Sequence, residues 1–550
     1  MTKHLVATIQ RETTPSQLEP YREDQVENSA GGYSWGVDEW THLRRFLILG
    51  SKGGSYYASE KDLTKQGFDT IEKCLSINGR RLVDTIVEVS VQGLAPKNDY
   101  AIFALAVVVA KGSDDAKAYA LRKLNDVARI GTHLFQFCEF LNQFGSLTGR
   151  AKRRALAKWY TDKDASTVAY QTVKYRQRNG WTHKDVLRLS HPGSKVSSGN
   201  PAVVVSNSHK EIFNWIVNGW EDNDFSHDPN LDKIRGFELI QRAKTANRVA
   251  EHIRKYDLPR EVVPTEFLTN PEVWQALLDV KMPMTALIRN LANMTRVGLL
   301  TSTSDATQDV IKSLLNEEYL QKARIHPINI LFALKTYASG AGFRGTNTWT
   351  PVQTIVDALD SAFYKSFKFV EPTNKRILLA LDVSGSMSSG FYGGSIAGTN
   401  ISPREASGAM ALVTAATEKR YEIVGFYDEL SSLDISPKMR LDTVLKNISG
   451  LPFGGTDCAL PMLYAQKNEL EFDAFVVYTD SETWAGNIHP AQALNKYRRS
   501  SGIEDASLTV VGMVSNGFSI ADPNDARMLD VVGFDTSAPQ LISNFIAGRI

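Results

Sequence analysis

The chain has 550 residues, 43% hydrophobic and 22% charged; this length implies two or more domains, and the composition excludes a disordered or fibrous protein. Three scattered cysteines, Cys74, Cys138 and Cys458, exclude a disulfide framework, show no zinc-ligand spacing and point to a reducing compartment, the cytoplasm. The formal net charge of +1 conceals an asymmetry: residues 1–371 carry 48 basic and 41 acidic side chains, and residues 372–550 carry 14 and 20, so the front part suits a polyanionic partner.

Taken from the N-terminus, MTKHLVATIQRETTPSQ has no apolar stretch of signal-peptide length. The most apolar run, Tyr100–Ala110, falls short of the ~20 residues that span a bilayer. It predicts a buried helix and no membrane association. From Trp40 to Phe369 the apolar residues recur at helical spacing, as in Trp40–Leu49, Phe68–Ile77, Leu82–Val91, Tyr100–Ala110 and Leu134–Phe144. Asn98-Asp99 and Ser113-Asp114 stand where N-caps are expected. Helix pairs stacked as a solenoid, without strands, follow from this pattern. Segments 192–200 and 338–350, rich in Gly, Ser and Asn, predict surface loops.

The pattern changes after Glu371, dividing a domain at 1–371 from one at 372–550. Short apolar runs at Ile377–Leu381, Tyr421–Phe426, Ala474–Tyr478 and Leu508–Val511 alternate with helix-like segments at Glu405–Glu418 and Ala491–Arg499. Strands alternating with helices predict a doubly wound α/β layer with a parallel sheet, whose ligands sit at the carboxyl ends of the strands.

At the end of the first such strand stands Asp382-Val383-Ser384-Gly385-Ser386, a DxSxS motif; Thr456 follows Gly454-Gly455, and Asp480 closes another strand. The set Asp382, Ser384, Ser386, Thr456 and Asp480 resembles the metal-ion-dependent adhesion site of von Willebrand A domains. Three hydroxyls and two carboxylates are hard oxygen donors suited to Mg²⁺. The metal could recruit a partner or brace the loops, and both readings stay open. A dehalogenase-type phosphatase would need a second acid where Ser384 stands, and no P-loop or nucleophile elbow is present. The reading is therefore non-catalytic.

Arg150–Arg188 holds eleven Lys and Arg against three Asp, interleaved with Trp159, Tyr160, Tyr170, Tyr175 and Trp181. Such cations can neutralise phosphates and exposed aromatics can stack on bases; a solvated helix face with its aromatics in the core is the alternative. Residues 174–192, KYRQRNGWTHKDVLRLSHP, resemble the signature segment of the Ro autoantigen (SS-A/Ro), or TROVE-domain, ribonucleoprotein family, which includes bacterial members. The order of helical repeats followed by an A-type domain with DVSGSM reinforces the resemblance.

The resemblance implies a HEAT-like helical-repeat ring closed by a von Willebrand A-type domain. It implies Y or Y-like RNA on the outer surface, the single-stranded ends of misfolded non-coding RNA in the hole, and a role in RNA quality control. In bacterial relatives it implies a link to an exoribonuclease such as polynucleotide phosphorylase. It carries the RNA-contact role to Lys174, Arg178 and His191; charge and position add Arg176 and Lys184. Lys174 and Arg178, four apart, would face the same way on a helix. A monomer is expected. The competing reading is a metal-dependent protein-interaction scaffold with little direct RNA role.

Overall fold

The computed structural model describes residues 25–27, 33–35, 38–50, 55–57, 65–193, 205–220, 226–342, 346–383, 387, 396, 401–427, 429–450, 457–479, 488–513, 522, 525–532 and 534–550. They form two compact units, one of residues 68–308 and one of residues 1–67 with 309–550. The second unit opens with an antiparallel pair, β1 (Gln25–Glu27) and β2 (Tyr33–Trp35). The helix Glu39–Leu49 follows, capped by Asp38, which accepts from the Thr41 N–H at 2.7 Å, and ended by Gly50 at φ 74°. Strand β3 (Ser55–Tyr57) comes next.

The 68–308 unit is built from helices. The expected helices at 68–77 and 82–91 lie within one element, Lys65–Gln92, kinked at Asn78 (φ −159°, ψ 97°), whose side chain accepts from the Arg81 N–H at 3.0 Å. Asp99–Lys111 is buried from Tyr100 to Val109, as its composition demands. Ser113 caps Asp114–Arg122 as expected. Asn98 does not cap; it bonds Ser90 at 2.7 Å and the Val127 carbonyl at 2.9 Å instead, tying three segments together. Asp99–Lys111 packs on Gly131–Gln143, and Ala246–Tyr256 packs on both Asp232–Arg242 and Pro271–Asp279. Successive helices thus cover one another's apolar faces, the logic of a repeat body.

One departure from an all-helical body falls in the basic segment. Strands β4 (Gln177–Arg178) and β5 (Trp181–Thr182) form a small antiparallel hairpin. Asn179 and Gly180 both have positive φ, 51° and 78°, the pair of left-handed residues that a type I′ turn requires.

The second unit resumes at residue 309. Its sheet adds β6 (Arg376–Asp382), β7 (Arg420–Phe426), β8 (Leu430–Ser432), β9 (Ala474–Thr479), β10 (Ser507–Gly512) and β11 (Met528–Val532). The order is β3-β11-β10-β9-β6-β7-β8, parallel except for β8. The four expected runs are β6, β7, β9 and β10. The helices Pro403–Thr417 and Pro490–Ser501 stand where two were expected. From β6 the chain steps to β7 on one side and later returns to β9 on the other, so the crevice between the carboxyl ends of β6 and β9 is the topological switch point.

The helices Pro327–Ala338 and Gln353–Ser366 pack within this unit, through Lys335–Glu405 at 2.7 Å and Arg440–Asp360 at 2.6 Å. The residue pattern changes at 371/372, whereas the packing divides at 67/68 and 308/309. Of the expected loop 338–350, the bridge Ala341–Thr348 and the Trp349 ring stacked on Tyr337 at 6.4 Å fix the described part; residues 194–200 of the other loop lie outside the described residues. No described helix is long and apolar enough to cross a membrane.

Candidate nucleic-acid interface and metal centre

The basic segment is sorted by its local folding. On the helix Arg150–Thr161, Ala155, Leu156, Ala157, Trp159 and Tyr160 are buried, while Arg150, Arg154 and Lys158 are exposed. These three cations are four apart and share one face. Trp159 donates its indole N–H to the Ala128 carbonyl, and the Tyr160 hydroxyl bonds His183 Nδ1 at 2.8 Å. Two of the five interleaved aromatics therefore belong to the core. Two cations are also engaged: Lys163 donates to the Trp159 carbonyl at 2.8 Å over the indole ring, with burial lowering its pKa to about 8, and Lys152 donates to Ser146 at 2.9 Å.

Asp164 starts the next helix, Ala165–Lys174, accepting from the Thr167 N–H at 2.8 Å. Hydrogen bonds from Ser166 and Thr167 hold its carboxyl at about 2. Lys174, the last residue of that helix, donates to the Tyr170 hydroxyl at 2.9 Å and lies over the rings of Tyr170 and Tyr175. Burial opposes its charge, but the Tyr170 hydroxyl, Tyr175 and Glu261 together outweigh it and the pKa is raised. Lys174 stays cationic.

The helix stops at Lys174, so the expected alignment of Lys174 and Arg178 along one helical face does not exist. Tyr175 leaves the helix at ψ 72°, and Arg178 sits on β4. Arg176 and Arg178 are both exposed, and the Arg176 guanidinium is 4.7 Å from the centre of the Phe237 ring. Strand β5 runs directly into the helix His183–Ser190 through a capping box of Thr182 and Asp185. Lys184 is half-buried on its first turn. His191 ends it, exposed and in the left-handed conformation at φ 47°, where glycine is the favoured residue. His183 is a core residue, its pKa lowered to about 4 by burial. The hairpin thus gathers Lys174, Arg176 and Arg178 within five residues, with His191 one short helix further on.

Of the expected metal ligands, Ser384, Ser386, Thr456 and Asp480 lie outside the described residues. Asp382, the last residue of β6, is fully buried and accepts from the Thr479 hydroxyl at 2.9 Å, across the β6–β9 switch point. Arg404, at the start of Pro403–Thr417, donates to the Val383 carbonyl at 3.2 Å. Asp457, beside Thr456, is buried and accepts from the Ala459 N–H at 2.9 Å; burial raises its pKa. A buried carboxylate needs compensating charge. The nearby Arg404 charge supplies part of it for Asp382, and the hard oxygen donors at the strand ends are also of the type that suits a divalent cation.

The family comparisons concern the two domains that carry these residues. Residues 26–336 match the TROVE domain and residues 376–546 the Ro60 vWA domain. An RNA-binding protein RO60 of Caenorhabditis elegans is 36% identical over 98% of this chain and 92% of its own length. An RNA-binding protein RO60 of Deinococcus radiodurans is 39% identical over the whole of both chains. This chain belongs to the Ro60 family. The crystal structure of the Deinococcus radiodurans Ro (Rsr) protein superposes on 93% of this Ro60-family chain and all of its own, with a TM-score of 0.85 at 37% identity. The expected fold class, a TROVE helical-repeat body with a von Willebrand A-type α/β domain, is the fold of this family member.

Sequence reasoning passed over the row Arg150, Arg154 and Lys158 as a unit, although spacing by four was its signal. It also passed over the hairpin, whose Asn179-Gly180 pair is a strong short-range turn signal.

Proposed function

We propose that this Ro60-family chain binds structured RNA of the Y or Y-like class through the surface around the β4–β5 hairpin, with Lys174, Arg176, Arg178, Lys184 and His191 as contacts. The exposure of Arg176, Arg178 and His191 beside a Lys174 kept cationic carries the reading. Cations so placed neutralise phosphates, while the partly exposed Tyr170, Tyr175 and Trp181 offer ring faces. The names of both relatives support an RNA ligand. The finer role is that of a monomeric, non-catalytic cytoplasmic ring that threads the single-stranded end of misfolded non-coding RNA. It acts in RNA quality control with an exoribonuclease such as polynucleotide phosphorylase. Mg²⁺ would be held by Asp382 with Ser384, Ser386, Thr456 and Asp480, where it would supply a coordination position for water or a partner carboxylate.

Filter binding of a labelled structured RNA across a salt series tests this function. The double variant Lys174→Ala/Arg178→Ala is expected to bind about tenfold more weakly and to lose ~2 from the log–log salt slope. Unchanged affinity and slope would dismiss the assignment, and a wild type indifferent to RNA at low salt would favour the scaffold reading.

A further inference from the structure

A second cationic surface lies in the helical unit, absorbed neither by the hairpin nor by the metal site. A cleft of about 540 Å³ is lined by Lys174, Arg260, Lys281 and Arg289, together with Tyr170. Two acids share its wall. Asp257 is already paired with Lys233 at 2.7 Å, and Glu261 lies near Lys174. Among the described residues neither Lys281 nor Arg289 forms an ion pair. Arg260 Nε is buried without a hydrogen-bond partner, its guanidinium 5.8 Å from the Trp274 ring centre. Cations gathered in excess of acids repel one another, and an anion relieves that repulsion.

The backbone at the rim points the same way. The helix Pro271–Asp279 closes with Met282 N–H on the Leu277 carbonyl at 3.3 Å and Lys281 N–H on the Leu278 carbonyl at 2.9 Å. That closure places Lys281 at φ 54°, in the left-handed region, a position that favours glycine. Here a long cationic side chain occupies it. The next helix, Met284–Arg296, starts at Pro283 without a side-chain cap, so its positive end also lies at the cleft.

We infer that this cleft is a phosphate-binding subsite for an unpaired stretch of the RNA backbone running on from Lys174, with Arg260, Lys281 and Arg289 as its cations and Tyr170 as a stacking face. The inference rests on the RNA-binding reading and deepens it. Lys174 is the shared residue: it faces the cleft and adjoins the hairpin.

The test uses the full chain and two RNAs, one stem with a single-stranded tail and the same stem without it. The variant is Lys281→Gly/Arg289→Ala, in which the glycine removes a cation and also suits the left-handed backbone. It is expected to lose about tenfold affinity for the tailed RNA and ~1.4 from its salt slope, two single-strand contacts at ~0.7 each. Binding of the tailless stem and the melting temperature are expected to hold. Unchanged affinity and slope for the tailed RNA, with the wild type binding normally, would overturn the subsite alone. A wild type that binds neither RNA would sink the underlying reading as well. Calorimetric titration with inorganic pyrophosphate separates the remaining source: heat lost in the variant while tailed-RNA binding is unaltered would identify a free phosphate ligand, and overturn the RNA assignment of the cleft.

Discussion

The basic segment of the helical unit and the strand ends of the A-type unit both depend on charge, but they place it oppositely. Around the hairpin, Arg176, Arg178 and His191 stand in solvent, while the core side chains of the same segment, Tyr160, His183 and Trp159, are neutral and packed on one another. In the A-type unit several charges are inside. Asp382 is fully buried, and Arg498 pairs with Asp525 at 2.7 Å with 2% and 3% of their side chains exposed. Exposed charge costs little to maintain and remains available to a polyanion. Buried charge must be matched within the fold or by a bound ion. The first region is therefore built to contact a ligand, and the second to hold itself, or a cation, in place.

Breaking the buried side should have the largest effect. Arg498 also donates to the Ala506 carbonyl at 2.9 Å, while Arg45 of the helix Glu39–Leu49 donates to the Asp525 carbonyl at 2.6 Å. Burial pushes the Asp525 carboxyl up, but Arg498, the Arg527 N–H and Arg45 together outweigh it and the pKa falls below the usual range. Arg498→Ala removes the ion-pair partner of that carboxylate and leaves it buried with the Arg527 N–H at 2.8 Å and the Arg45 charge, so a loss of about 3–5 kcal/mol in denaturant unfolding is expected. A loss below about 1 kcal/mol would mean that the pair behaves like a surface one.

The metal arm of the comparison is smaller. Asp382→Asn keeps the shape and the acceptor for Thr479 but removes the charge. Mg²⁺ affinity measured by calorimetry is expected to fall at least tenfold, about 1.4 kcal/mol, while RNA binding through the hairpin stays at the wild-type level. Equal Mg²⁺ affinity in both proteins would remove Asp382 from the ligand set.

What the sequence revealed divides along the same line. Strands β6, β7, β9 and β10 are near-continuous apolar runs, the mark of a parallel strand covered on both faces. Strand β11 and the edge strand β3 carried no such mark: β11 is broken by the buried Asp530, and β3 pairs with it from more than 400 residues upstream. The basic segment was visible by count, but which cations point outward was not. Trp159 and Lys163 needed the packed neighbours to assign them inward. Lys174 and Arg178 looked helical only because the Asn179-Gly180 turn went unweighed. The helices Pro327–Ala338 and Gln353–Ser366 share the 3.6-residue period of those before them, so periodicity alone could not assign them to the sheet's unit. The cleft's cations, drawn from positions 174, 260, 281 and 289, form no local pattern at all.

The smallest effect sharpens the comparison from the neutral side. His183 is the first residue of the helix after the hairpin, buried and bonded to Tyr160, and burial depresses its pKa to about 4 from the ordinary 6.5. Between those values the unfolded chain binds a proton that the folded chain refuses. Stability is full above about pH 6.5 and declines as the pH falls towards 4, by up to ~1.4 kcal/mol per pH unit for this one group. His133, lowered to about 4 by burial, contributes in the same direction. His183→Gln removes the titrating ring, so its stability difference between pH 7 and pH 5 should be smaller than the wild type's by roughly one proton's worth. An identical pH dependence would show that His183 titrates in the folded chain as it does in the unfolded one, and that burial does not depress its pKa.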